Sequence, residues 1–125
     1  MAMFVSDFFL DELAKTVCGD GTLANLVVAD IKLVNNVTDK VLASDSFTGT
    51  LSIIMDATTG RAKLENDLTF AVTDATVGGW IALDAAGTPN ELFGADFATS
   101  EVFTGAGEFI LEKDDTYVQI ALKAT

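Results

Sequence analysis

The stretch GGWIALD at residues 78–84 decides how this sequence is interpreted, because paired glycines lead into apolar residues and the run ends in a turn. It predicts a strand over residues 77–83, followed by a turn over 84–90 (DAAGTPN). Similar strands, separated by glycine-containing turns, continue as far as YVQIAL at residues 117–122. Short strands at roughly regular spacing are typical of an antiparallel β-sandwich or jelly roll.

Towards the C-terminus, the pattern predicts a short strand at 92–93, a further strand over 97–103 and a turn at 105–107. A final hairpin is predicted between residues 108–112 and 117–123. Its second strand is expected to point three apolar side chains inward: Val118, Ile120 and Leu122.

Upstream of residue 78, β-branched residues predict a long first strand over 26–34 and a short strand over 40–44. Residues 47–56 and 61–72 are expected to form a hairpin about a turn at 57–60, where Gly60 supplies a left-handed position. Apolar and polar residues alternate along the second arm, which predicts one buried face and one solvent-exposed face.

The N-terminus carries the helical periodicity of the chain. Apolar residues recur with helical spacing between residues 6 and 17, at Phe9, Leu10, Leu13, Ala14 and Val17. Ser6 or Asp7 can cap this helix, and the glycines of residues 18–21 can end it. A short amphipathic helix has to pack against something. It either covers one end of its own sandwich or docks onto a neighbouring subunit.

Together these elements predict a mainly β protein: an antiparallel β-sandwich or jelly-roll-like domain with one short N-terminal amphipathic helix. The 125 residues fit a single domain. Residues 1–21 would form an N-terminal arm with the helix, and residues 22–125 the sandwich.

The net charge of the chain limits the classes of partner that it is expected to bind. Nineteen acidic residues face seven basic ones, a formal net charge of −12. Binding to nucleic acid or to an anionic membrane is therefore not expected, because both draw on clusters of Lys and Arg. The same charge keeps an apolar-rich protein dispersed. No signal peptide is predicted, and the single Cys18 agrees with synthesis in the cytoplasm.

The residue types for common catalytic chemistry are scarce. The chain has no histidine, the usual base of a hydrolase and a common ligand of zinc. Its glycine clusters lack the strand-to-helix context of a nucleotide site. A carboxylate pair for glycoside hydrolysis or a calcium ion at residues 114–115 remain minor alternatives. We therefore expect no enzyme activity and no cofactor.

Aromatic residues are the remaining candidates for a functional surface. Nine phenylalanines include a cluster near the N-terminus that exceeds what a short helix can bury on its own domain. Trp80 is either a core residue or an exposed anchor for a glycan or protein partner. The residues predicted to contact a partner are Phe4, Phe8, Phe9, Leu13, Val17 and Trp80.

Three strings in the last third carry a resemblance: GWIALDAAG at 79–87, ELFG at 91–94 and FTGAGEFIL at 103–111. With the preceding helix and its glycine-rich end, their order resembles small virion proteins of tailed bacteriophages. The resemblance covers about the last 45 residues well and the helix loosely.

This resemblance implies a structural subunit of the virion. A capsid decoration (cement) protein bound to the major capsid protein is the first expectation, and a tail, fibre or baseplate component the second. A homo-oligomer is expected, with a trimer favoured because symmetric copies add weak contacts. A carbohydrate-binding adhesin is the third alternative, for which Trp80 or Tyr117 would lie exposed in a shallow groove.

Overall fold

A computed structural model describes residues 3–21, 23–58, 61–114 and 116–119. The fold is mainly β with antiparallel sheets and a short N-terminal helix, which confirms the predicted class. The helix is α1 (Asp7–Val17), and a one-turn 3₁₀ helix follows at Leu23–Leu26. The strands are β1 (Met3–Val5), β2 (Asp30–Val34), β3 (Leu42–Ser44), β4 (Phe47–Thr48), β5 (Ile53–Asp56), β6 (Arg61–Leu64), β7 (Leu68–Thr73), β8 (Thr76–Leu83), β9 (Glu91–Val102), β10 (Ala106–Leu111) and β11 (Tyr117–Gln119).

The described strands form a five-stranded sheet in the order β1-β9-β8-β2-β3, and two three-stranded sheets, β10-β7-β4 and β11-β6-β5. Their inner faces share one apolar core. Leu33 and Val77 of the large sheet pack in the same cluster as Phe70 and Leu111 of the second sheet and Leu64 of the third. Each of these five side chains is at most 1% exposed, so the sheets enclose a closed interior.

Helix α1 forms where the sequence predicts it. Ser6 caps its N-terminus, since its Oγ accepts a hydrogen bond of 3.0 Å from the Phe9 N–H. At the other end Gly19 adopts a φ of +85°, a conformation that favours glycine, and the chain turns away there.

The predicted first strand is too long. Its first residue, Leu26, ends the 3₁₀ helix instead, and pairing with β8 starts only with the Ala29 N–H, which donates to the Leu83 carbonyl. The strand preference of apolar, β-branched residues depends on their context, and the partner strand decides where the ladder begins. Val27, inside the predicted strand, is exposed.

The predicted hairpin of residues 47–56 and 61–72 is divided between two sheets. Only β5 and β6 form a hairpin, whereas β4 pairs with β7 in another sheet. Gly49 interrupts the first arm at a φ of +114°, and the polar residues 65–67 interrupt the second. Gly60, predicted to make the turn, lies outside the described residues.

The predicted final hairpin is wrong. β10 pairs with β7 and β11 pairs with β6, so the two segments belong to different sheets. The backbone N–H of Lys113 donates to Asp67 Oδ1 over 2.9 Å, which joins the β10–β11 connection to the β6–β7 connection. The chain therefore crosses from the sheet of β7 to the sheet of β6 after β10, next to the point where the β6–β7 connection makes the same crossing in reverse. Ile120 and Leu122 lie outside the described residues.

The region around residues 78–84 is the centre of the large sheet. β8 confirms the predicted strand, and it is flanked by β2 and β9. The two strands predicted at 92–93 and 97–103 are one strand, β9, with an irregular register: Val77 pairs with Glu101, but Gly79 pairs with Asp96. The extra residues of β9 form a bulge between these two pairs. β1, which the sequence pattern did not predict, pairs with the other edge of β9.

Candidate interaction surface

Helix α1 docks on the large sheet through a row of aromatic rings. The Phe9 ring meets the Phe93 ring edge-to-face with centroids 5.5 Å apart, and Phe93 meets Trp80 in the same way at 6.0 Å. Phe8 packs against the same core. The Ser6 N–H donates to the Leu92 carbonyl, which holds the start of the helix against β9.

The docked side of the helix continues with polar residues. Glu12 is only 9% exposed, and its Oε2 accepts a hydrogen bond of 3.0 Å from Asn25 Nδ2. Lys15 lies 3.0 Å from Asp11 and 3.6 Å from Glu12. Hydrogen bonding to Asp11, followed by the charges of Asp11 and Glu12, raises the pKa of Lys15, so this amine stays protonated. The helix is thus fixed at both ends of its inner side.

The apolar stripe of the helix consequently faces outward. Leu10 is 51% exposed, Val17 is 80% exposed, and Ala14 between them is exposed as well. Their spacing of i, i+4 and i+7 places the three side chains on one face. We call Leu10, Ala14 and Val17 the outer stripe. It leaves apolar surface in water on a helix that is already docked by its other side.

The six residues predicted to contact a partner are thereby separated. Phe8, Phe9 and Leu13 are half-buried, and Trp80 is 4% exposed. The core interpretation of Trp80 is therefore the one that the structure supports. Val17 alone among the six is fully outward. Leu10 and Ala14 were not among the predicted contact residues, although their helical spacing from Val17 was a usable signal.

Phe4, the remaining predicted contact residue, belongs to a small cluster on the outer face of the large sheet. It packs against Val34, Val37 and Ile81, which are at most 5% exposed. The Lys40 ammonium nitrogen lies 3.9 Å from the centre of its ring. Phe4 therefore holds β1 in place, and only part of its ring reaches solvent.

The loop that carries Val37 is attached to the sheet by a carboxylate. The Val37 N–H donates to Asp96 Oδ1 over 2.8 Å. Within the loop, Asn35 Oδ1 accepts from the N–H groups of Asn36 and Val41. Residues 35–41 thus fold over the outer face of the sheet, and we call this segment the strap.

A second surface feature lies between β9 and β10. Phe97 and Phe109 have ring centroids 5.1 Å apart and line a cleft of about 300 Å³. Ile110, Leu111, Glu112 and Thr116 complete its wall together with Thr99. We call this feature the β9–β10 cleft.

Several carboxylates are used to hold loops. Asp67, Asp74 and Asp96 each accept a backbone N–H from a residue at least 31 positions away in the sequence. Among the described residues, no group of three or more His, Cys, Asp or Glu side chains is arranged to hold a metal ion. These aspartates act as staples between strands and turns.

Asp84 is the most buried aspartate among the described residues, at 4% exposure. It accepts hydrogen bonds from Asn90 Nδ2 at 2.9 Å, from the Asn90 N–H at 2.8 Å and from the Ala86 N–H at 3.1 Å. Burial by itself would raise the pKa of this carboxyl, but the three hydrogen bonds outweigh burial and lower the pKa below 3.8. Asp84 closes the turn of residues 84–90.

The two rings considered for glycan stacking are both covered. Trp80 lies inside the core, and the Arg61 guanidinium carbon lies 3.9 Å from the centre of the Tyr117 ring. Trp80 therefore offers no open face, and Arg61 occupies one face of the half-buried Tyr117 ring. The carbohydrate alternative therefore finds no support at these positions.

Comparison of the chain with protein-family models, curated proteins and solved structures finds no match. No helix in the described part of the chain has the length and apolar character needed to cross a membrane. The surfaces described above are therefore interpreted from their geometry and chemistry.

Proposed function

We propose that this chain is a non-enzymatic structural subunit of a tailed-bacteriophage particle, and that it is a capsid decoration protein bound to the lattice of the major capsid protein. The resemblance of residues 79–111 to small virion proteins supports the class. The observation that carries the proposal is the outer stripe, because Leu10 and Val17 expose apolar surface that the protein's own core does not require.

A contact surface of this size is suited to a lattice partner. Burying Leu10 and Val17 is worth about 1.5–3 kcal/mol each before the cost of association is subtracted. Such a contact is weak in one copy. In a homo-oligomer, with a trimer favoured, three copies of the stripe would engage a symmetric lattice together, and their contacts would add.

The charge of the chain is consistent with this role. A net charge of −12 opposes nonspecific aggregation of the protein in solution and leaves the outward face of a bound subunit acidic. The partner then has to supply a complementary surface. The protein is placed on the virion after synthesis in the host cytoplasm.

The proposal is tested by co-sedimentation with heads and tails prepared from particles that lack this protein. Wild-type protein is expected to bind heads. Leu10→Gln and Val17→Gln are expected to reduce bound protein about tenfold or more, because each removes apolar burial at the contact. The matched control is Val41→Gln, the same substitution at another exposed valine. Circular dichroism establishes that all three variants are folded.

Three outcomes decide against the proposal. Binding to tails instead of heads indicates the tail, fibre or baseplate role. Failure of the wild-type protein to bind either fraction contradicts a virion role. Equal loss of binding in Val17→Gln and Val41→Gln removes the outer stripe as the contact. Sedimentation equilibrium separately tests whether the free protein is a trimer of 13.2 kDa chains.

A further inference from the structure

The β9–β10 cleft arises because two consecutive strands enter different sheets. β9 and β10 are joined by a tight turn in which Gly105 has a φ of +85°. β9 nevertheless pairs with β8, and β10 pairs with β7. The sheets separate from this turn onward, and the cleft is the gap between Phe97 and Thr99 on one side and residues 109–112 on the other.

Strand β10 forms an edge of its sheet. Its neighbour on one side is β7, and no strand of the described ranges lies on its other side. In β9, residues 97–100 have no register partner on β8, because the pairing skips from Glu101 to Asp96. A sheet edge that presents unpaired N–H and C=O groups is a template for another extended chain.

The cleft has an apolar base and an acidic rim. Phe97, Phe109 and Leu111 pack against the main core at its base. Glu112 lines it, and Glu108 is exposed on β10. None of the salt bridges among the described residues involves either glutamate. Glu112 at the cleft and Glu108 nearby on β10 therefore carry negative charge that none of these salt bridges neutralises.

We propose that the β9–β10 cleft binds an extended segment of a partner protein, in which Lys or Arg alternates with apolar residues, and that this segment adds to the free edge of β10 as a further strand. Main-chain hydrogen bonds to β10 supply affinity, and alternate side chains supply specificity. An apolar side chain of the segment packs against Phe97 and Phe109, while its basic residues meet Glu108 and Glu112.

Charge selects this occupant over a second copy of the chain. Each copy carries a net charge of −12, so bringing two copies together at an acidic rim is repulsive. A basic segment gains attraction at the same place. This inference concerns the isolated protein and does not depend on which virion component, if any, is the partner.

The test uses isotope-labelled protein and synthetic heptapeptides in which Lys alternates with Val, Ile or Phe. Peptide binding is expected to slow hydrogen exchange at amides of β10 (Ala106–Leu111) and to shift their resonances. Two control peptides carry the same side chains with alternate backbone nitrogens methylated, or carry Glu in place of Lys. Both are expected to bind about tenfold more weakly or not at all, because they lose strand pairing or charge attraction.

A pair of charge reversals supplies the matched control on the protein. Glu112→Lys changes the rim of the cleft and is expected to weaken binding of the basic peptide about tenfold. Glu65→Lys makes the same change at an exposed position that does not line the cleft, and binding is expected to stay within about twofold of the wild type. Exchange rates in β8 report whether both variants remain folded.

Four results would overturn the proposal. Equal binding of the methylated peptide rules out strand addition, and equal binding of the Glu peptide rules out charge selection. No protection of β10 at about 1 mM peptide rules out the site. Protection that rises with protein concentration in the absence of peptide, together with a doubled mass, makes a second copy the occupant.

Discussion

Lys40 places its ammonium nitrogen 3.9 Å from the centre of the Phe4 ring and 3.5 Å from Glu91 Oε1. One side chain thus joins the strap over the large sheet to the N-terminal strand β1 and to the start of β9. Lys40 holds this position at a φ of +57°, in the left-handed region. The N-terminus is therefore fixed by a contact between residues 36 positions apart.

Lys40→Met removes the cation and retains an unbranched apolar side chain at the same backbone conformation. We expect the free energy of unfolding to fall by about 0.5–2 kcal/mol, because the cation–π contact and a partly exposed ion pair are both lost. Urea denaturation measures this loss, and hydrogen exchange is expected to rise first in β1. Lys113→Met, at an exposed turn residue, is the control. Equal losses in the two variants would contradict a specific role for Lys40.

Asp84→Ala is expected to destabilise the protein by about 1–3 kcal/mol at neutral pH, because the N–H groups that the carboxylate satisfies lose their partner. Asp45→Ala, at an exposed carboxylate for which the described residues offer no hydrogen bond, is expected to change stability by less than about 0.5 kcal/mol. Urea denaturation of the two variants tests the difference.

The pKa of Asp84 also predicts how this difference varies with pH. Since the folded-state pKa is lowered, the carboxylate contributes stability above its ordinary pKa of 3.8, and the contribution is lost as the pH falls through the folded-state value. The stability gap between wild type and Asp84→Ala should therefore narrow between about pH 5 and about pH 2. A gap that is constant or widens over this range would show that the charged form is not the stabilising one.

Gly94→Ala tests the packing of the large sheet. A Cβ at this position would overlap the Trp80 carbonyl oxygen and lie 3.1 Å from Ile81 Cα, and backbone atoms in a central strand have little room to move. We expect a loss of about 1–3 kcal/mol, measured by thermal unfolding. Gly87→Ala is the matched control, since nothing lies within 4 Å of its added Cβ. Its expected change is within about 0.5 kcal/mol, and a similar loss in both variants would contradict the steric explanation.

Elements whose signal is local could be predicted from the sequence. Helix α1 was predicted, with Ser6 or Asp7 as its cap, because the cap, the apolar spacing and Gly19 all lie in one continuous stretch of the chain. β8 was predicted because its composition and flanking turn are continuous. Strand partners could not be predicted in the same way. β10 and β11 are divided between two sheets because they pair with β7 and β6, and the contact at this point joins Asp67 to Lys113, 46 positions apart.

The candidate surface shows the same division. Helical spacing predicted an apolar stripe on α1, but it did not indicate which face of the helix would dock. The Phe9 ring packs against the Phe93 ring, and Glu12 accepts a hydrogen bond from Asn25. Because these contacts lie on the docked side of the helix, Leu10 and Val17 face solvent. The sequence left Trp80 as either a core residue or an exposed anchor, and only its burial between the sheets distinguishes the two. The β9–β10 cleft had no sequence signal, because it is the gap between strands of two sheets.

The sequence by itself determined the β class, the capped helix, the acidity and the absence of histidine, because composition and short-range periodicity act within a few residues or on the chain as a whole. Only the tertiary structure decided which strands pair, which face of the helix meets solvent and where a sheet edge stays open. Those outcomes depend on contacts between residues far apart in the chain, and each is selected by the packing of its neighbours. For the stretch at residues 78–84, the sequence pattern predicts a strand, whereas the position of that strand between β2 and β9 follows only from the assembled sheet.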